Sequence, residues 1–178
     1  MIINIQSIYD LISILALLTN IYIYYSLDFT LIFGSFICLG IHYILKDVTT
    51  GWYAPIFKRP DGAMNCSLFN TGGLVEHQSG FPSGHVANIS FLMNILWLRS
   101  KHTDWKYIFA YNFPIILMGY ARIMKGCHNL IQVIAGYLLG YIVAYIFYNY
   151  QSSVNKYLDY IRVFLVDEIQ YKNIQRKI

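Results

Sequence analysis

An all-α bundle of about five membrane-spanning helices is the fold this sequence predicts, and three observations predict it. Of 178 residues, 57% are hydrophobic and only 12% charged, whereas a soluble domain carries about 25% charged residues. Mean hydropathy is +0.45. Five apolar stretches follow one another at 8–27, 29–45, 86–98, 107–120 and 130–148. The length suits one compact domain, so 1–149 reads as the membrane-embedded unit and 150–178 as a polar tail.

The hydrocarbon core of a bilayer is about 30 Å thick and a helix rises about 1.5 Å per residue, so about 20 residues are needed to cross. The first and fifth stretches meet that length. The second, ending at Lys46, is slightly short. The third and fourth need help from their flanks: Arg99 and Lys101 are placed to snorkel, and Trp105 and Tyr107 suit the interface. The first 25 residues hold no Lys or Arg, which argues for a retained span and against a cleaved signal peptide.

Between Lys46 and Gly84 lies a polar stretch rich in Gly and Pro. Its unpaired backbone groups could not sit in lipid, so it reads as the main extramembrane loop. Past Tyr148, Val154, Tyr157, Leu158, Ile161 and Leu165 fall at helical spacing with charges between them. That pattern fits an amphipathic helix on the membrane face; a loosely ordered charged tail fits it as well.

Alternation of the spans puts Lys46, Lys58, Arg59, Arg122 and Lys125 on one face. Arg99, Lys101, Lys106, Lys156, Arg162, Lys172, Arg176 and Lys177 fall on the other. The face with eight of the 13 basic residues is expected to be cytoplasmic, with the tail on it and the polar loops outside. Basic residues held on the outer face against that rule fit an anionic substrate. The net charge of +4 is mild and calls for no nucleic-acid partner.

Three clusters converge on the outer face: Lys46 with Lys58-Arg59-Pro60, then Pro82-Ser83-Gly84-His85, then Arg122, His128 and Gln132. Together they make an oxyanion site. The arginines offer planar forks of donors suited to phosphate. Ser83 and Gly84 open a helix, where free N–H groups and the helix dipole attract anions. One neutral imidazole attacks phosphorus while a protonated one serves the leaving oxygen. Gln132, four residues after His128, is spaced to accept its Nδ1–H. His42 and His102 read as interfacial residues without a catalytic part.

The set resembles the type 2 phosphatidic acid phosphatase superfamily, which also holds bacterial acid phosphatases and vanadium haloperoxidases. Arg59-Pro60 is similar to the end of its first motif, Phe81-Pro82-Ser83-Gly84-His85 to the second, and Arg122, His128 and the run Ile134 to Gly140 to the third. The resemblance spans about residues 30 to 148. It implies that His128 is the nucleophile and His85 the acid, with Arg59, Ser83, Gly84 and Arg122 holding the phosphoryl oxygens and no metal or other cofactor. Three positions depart from the pattern. Trp52 stands where the family's Lys is expected; Lys46, six residues earlier, reads as the phosphate ligand and Lys58 as its substitute. Ala121 replaces Ser, and Gln132 replaces the Asp of most members. The His-x3-Gln spacing resembles the dolichyl-diphosphatase-like and glucose-6-phosphatase-like branches.

The expected function is hydrolysis of a membrane-borne lipid phosphate or polyprenyl diphosphate. The alternatives are a sugar phosphate phosphatase, a non-catalytic lipid-binding protein of the same fold and, more remotely, a haloperoxidase-like protein that binds vanadate. Cys66 and Cys127 both fall on the outer face; two free thiols are the expectation, with a disulfide between them as the alternative.

Overall fold

The computed structural model describes residues 5–52, 54–67, 71–76 and 78–175. Five helices follow in chain order: α1 (Ile5–Tyr25), α2 (Phe29–Val48), α3 (Gly84–Ser100), α4 (Trp105–Met124) and α5 (Leu130–Gln175). Among the described residues there is no strand, only two isolated bridges in the loop, Lys58 with Ser79 and Met64 with Leu74. Windows Ile8–Tyr25, Phe29–Val48 and Leu130–Ser153 are long and apolar enough to cross a membrane.

α3 is the axis of the bundle and touches all four other helices. That position explains its weak hydropathy. Every residue from Val86 to Leu92 is buried in protein, and Ser90 and Asn94 find their partners inside the bundle. Ser90 Oγ donates to Tyr137 O at 2.8 Å and Asn94 Nδ2 to Ser90 O at 2.8 Å. α4 is more one-sided: Trp105, Phe109, Phe113, Ile116 and Tyr120 stay exposed at helical spacing, a stripe suited to lipid.

α5 lies closest against α3 because glycines let the backbones meet. A Cβ on Gly136 would come 2.5 Å from Ser83 O, and one on Gly140 2.3 Å from Ala87 O. This small-x3-small spacing is how membrane helices reach close contact. Gly140→Val is therefore expected to force α5 off α3 and cost about 2–3 kcal/mol, read as a lower midpoint of thermal unfolding in detergent.

At the end of the bundle away from the loop, Arg99 does not reach outward as its position suggests. It is held by Asp28 at 2.5 Å and by Gln151 at 3.1 Å. Asp28 also caps α2 by accepting from Leu31 N at 3.1 Å. The ion pair ties the α1–α2 turn to the far end of α3, so α3 starts at the loop face and ends at the opposite one.

α5 continues without a break across 149–150 to Gln175. No Gly or Pro follows Gly140 to stop it. Its 46 residues span about 69 Å at about 1.5 Å per residue, more than twice the apolar thickness. The tail side chains at Val154, Tyr157, Leu158, Ile161 and Leu165, and the basic Arg176 and Lys177, lie outside the described residues.

Candidate active site

A cavity of about 590 Å³ opens at the loop end of the bundle. His42, Lys46, Arg59, Gly84, His85, Asn88, Arg122 and His128 line it, with Ala16 and Asn20 of α1 and Leu39 and Tyr43 of α2. Three side chains in this lining are basic, Lys46, Arg59 and Arg122. No Asp or Glu belongs to it among the described residues.

Each arginine is aimed from behind by a backbone carbonyl. Arg59 Nη1 donates to Cys127 O at 3.0 Å, and Arg122 Nη2 to Cys66 O at 2.5 Å. Their Nε atoms are buried without a partner among the described residues. Ser83 adds a third donor of this kind. It occupies the N-cap position of α3, where a serine hydroxyl ordinarily accepts from the first turn. Here it makes no cap bond, and its Oγ is buried and unpaired. Buried groups in that state are costly, and three of them around one cation-lined cavity suit an oxyanion.

The Cys66 and Cys127 carbonyls are joined through their side chains. The two cysteines form a disulfide with Cα atoms 5.6 Å apart, which corrects the expectation of two free thiols. Sequence alone could not place partners 61 residues apart. The bridge ties the loop that accepts from Arg122 to the segment that accepts from Arg59. In the chain-entropy account a loop of this size contributes about 4 kcal/mol. Reduction, or Cys127→Ser, is expected to lower the unfolding midpoint. It should also weaken vanadate binding about tenfold, as both guanidiniums lose their fixed aim. Vanadate inhibition with and without reductant checks this.

His128 is 3% exposed and precedes α5. Gln132, fully buried in the first turn of α5, has Oε1 3.1 Å from His128 Nδ1. The other half of the amide sets its orientation. Nε2 donates to Lys58 O at 2.6 Å and to Ile56 O at 3.1 Å, so Oε1 is the acceptor and Nδ1 carries the proton. Nε2 of His128 is then the bare nitrogen. Burial, followed by the positive charges of Arg122 and Arg59 and the nearby His85, holds the His128 pKa well below the ordinary histidine range; the Gln132 bond opposes this only partly. The imidazole is neutral at pH 7.

An ionised carboxylate has no donor for the carbonyls of Ile56 and Lys58, so these two contacts call for an amide. Gly80 is part of the same fit, since a Cβ there would lie 2.5 Å from Gln132 Oε1. Ser83 N donates to Gln132 O at 2.9 Å, which joins the starts of α3 and α5.

Of the eight site residues drawn from the sequence, six line the cavity: Lys46, Arg59, Gly84, His85, Arg122 and His128. Ser83 and Gln132 are packed directly behind it. Lys58 is not in the lining; its carbonyl serves Gln132. His42 departs from its interfacial reading. It is 7% exposed, lines the cavity, and would touch any Cβ at Gly84 at 2.7 Å. Its spacing of four from Lys46 was the signal available. His102 is exposed and stacks on Tyr107 with ring centroids 4.0 Å apart.

α1 contributes more than a span. Asp10 pairs with Lys125, Ser13 Oγ lies 3.5 Å from Arg122 Nη1, and Asn20 Oδ1 accepts from Asn88 Nδ2 at 2.8 Å. These positions share one helical stripe with Ala16. Nothing in the three motifs points to them.

The family model described as the PAP2 superfamily matches residues 29–156. That range holds every cavity residue except those of α1. No curated protein and no solved structure matches the chain.

Proposed function

This chain belongs to the PAP2 superfamily, and we propose that it is a membrane phosphatase that cleaves a lipid phosphate or polyprenyl diphosphate through a phosphohistidine. Phosphatase action on phosphate esters is what the family supports. The finer reading rests on one observation above all: unpaired donors and three basic side chains surround the imidazoles of His85 and His128 in a cavity with no lining carboxylate among the described residues.

In this mechanism Nε2 of His128 attacks phosphorus, forming an N–P bond as the P–O bond to the leaving group breaks. His85 gives its proton to the leaving oxygen. The same imidazole then takes a proton from water, whose oxygen attacks phosphorus and releases phosphate from His128. Arg59, Arg122, Lys46, Ser83 Oγ and the Gly84 N–H hold the three equatorial oxygens, where charge gathers in the transition state. Gln132 keeps His128 in the attacking tautomer.

A lipid suits the site because Lys46 and Arg122 lie near helix ends and Arg59 on the loop above them, while Leu39 and the exposed Tyr43 extend the cavity down the apolar flank of α2. The phosphate stays at the interface and the chain remains in lipid. The site face is outside and the tail cytoplasmic, from the distribution of basic residues.

Purified protein in detergent is expected to release phosphate from a long-chain lipid phosphate at least about tenfold faster than from a sugar phosphate, and equally well with a metal chelator present. A rate that collapses in chelator, or favours the sugar, contradicts the proposal.

A further inference from the structure

We propose that the cavity floor carries a second recognition point, the side-chain oxygen of Asn88, which takes a hydroxyl or amine donor on the part of the substrate that leaves with the departing oxygen. Placing that group on the leaving side rests on the phosphatase reading above.

The orientation of Asn88 is set by a chain of hydrogen bonds from α1, a helix outside the family match. Asn20 Nδ2 donates to Ala16 O at 3.0 Å, which fixes its amide. Its Oδ1 must therefore be the acceptor for Asn88 Nδ2, at 2.8 Å. Asn88 is left to present Oδ1. That oxygen is buried without a partner among the described residues, on a side chain 3% exposed that lines the cavity. A buried acceptor in that state is costly unless a ligand donor reaches it.

Its place gives the chemistry. Asn88 follows His85 by three residues on α3, so the two share a helix face with roughly 5–6 Å between Cβ atoms. His85 serves the leaving oxygen, so the next two or three substrate atoms lie beside Asn88, one turn deeper in the bundle. An oxygen with its own N–H group committed elsewhere attracts O–H or N–H and repels a second phosphate. The favoured substrate class is thus a phosphate monoester whose leaving moiety bears a free hydroxyl or amine near the phosphate. A prenyl diphosphate has no such donor.

The test uses two non-hydrolysable long-chain phosphonates, alike except that one carries a hydroxyl two carbons from the carbon replacing the leaving oxygen. Binding of each to the full chain in detergent micelles is measured by calorimetry. The wild type is expected to bind the hydroxylated compound about tenfold more tightly, and Asn88→Leu to bring the ratio to about one. Asn20→Leu releases the Asn88 amide and should lower the ratio as well; it decides the matter if Asn88→Leu binds neither compound. Equal binding by the wild type, or a ratio that survives the variants, overturns the proposal. Phosphate release from the matching esters is scored separately. A hydroxyl preference in binding with no release would sink the phosphatase reading while upholding the recognition point.

Discussion

Replacing His128 with alanine is expected to abolish phosphate release, a fall of about 10⁴-fold or more in kcat, while the protein still binds vanadate. The size follows from the role: a nucleophile whose loss removes the covalent route leaves only what positioning and charge supply. Vanadate binding should survive in part because the proposed mechanism assigns its oxygens to Arg59, Arg122, Lys46 and Ser83, none of which depends on the imidazole. Rates with a long-chain lipid phosphate, alongside vanadate competition, check both halves. The pH profile carries a related expectation. Protonation of His128 blocks attack, and its pKa is held well below the usual histidine value by burial and the two arginines. The acid limb set by His128 should therefore lie well below pH 6.5.

Arg122→Lys is expected to lower kcat/KM by about 10²–10³-fold, the scale for loss of one donor to the transition state. The substitution keeps the charge, so the loss measures geometry. Arg122 is 0% exposed and uses Nη2 on Cys66 O and Nη1 toward Ser13 Oγ, while Nε is unpaired among the described residues and is the donor the proposed mechanism gives to the phosphoryl group. An ammonium cannot hold both protein acceptors and also present a donor in the guanidinium plane. Arg122→Ala should cost more and also destabilise, since it strands the Cys66 carbonyl and opens a void in the core. Comparing kinetics with unfolding midpoints for the two variants separates the effects: a lysine variant as active as wild type removes Arg122 from the reaction.

Much of the fold was legible because it is local. Four of the five apolar stretches lie each within one helix, the first overruns α1 by two residues, and Pro82-Ser83-Gly84 marks the start of α3. The weakness of the third stretch had a reason visible only in three dimensions: α3 is surrounded by protein and needs no apolar surface for lipid. The end of α5 is obscured because polarity in the sequence reads as a change of element, whereas the helix continues through charged residues that favour it. The clusters that line the cavity were legible through residue chemistry and spacing. What pairs them across the sequence was not. The disulfide, the carbonyls behind each arginine, and the Asp10, Ser13 and Asn20 contributions of α1 join segments from distant parts of the chain, and no periodicity encodes such contacts. Gln132 shows the difference most clearly. In sequence it reads as a weaker substitute for a carboxylate; in the structure its amide nitrogen pins the carbonyls of Ile56 and Lys58, a bond no carboxylate could make.

The most direct test is to mix the purified protein with a lipid phosphate radiolabelled in its phosphoryl group, quench during turnover, and locate the label. The mechanism predicts an alkali-stable, acid-labile phosphate on the peptide containing His128, absent from the His128→Ala variant and chased off by unlabelled substrate. Brisk turnover with no label on the chain, or with label on another residue, would contradict it.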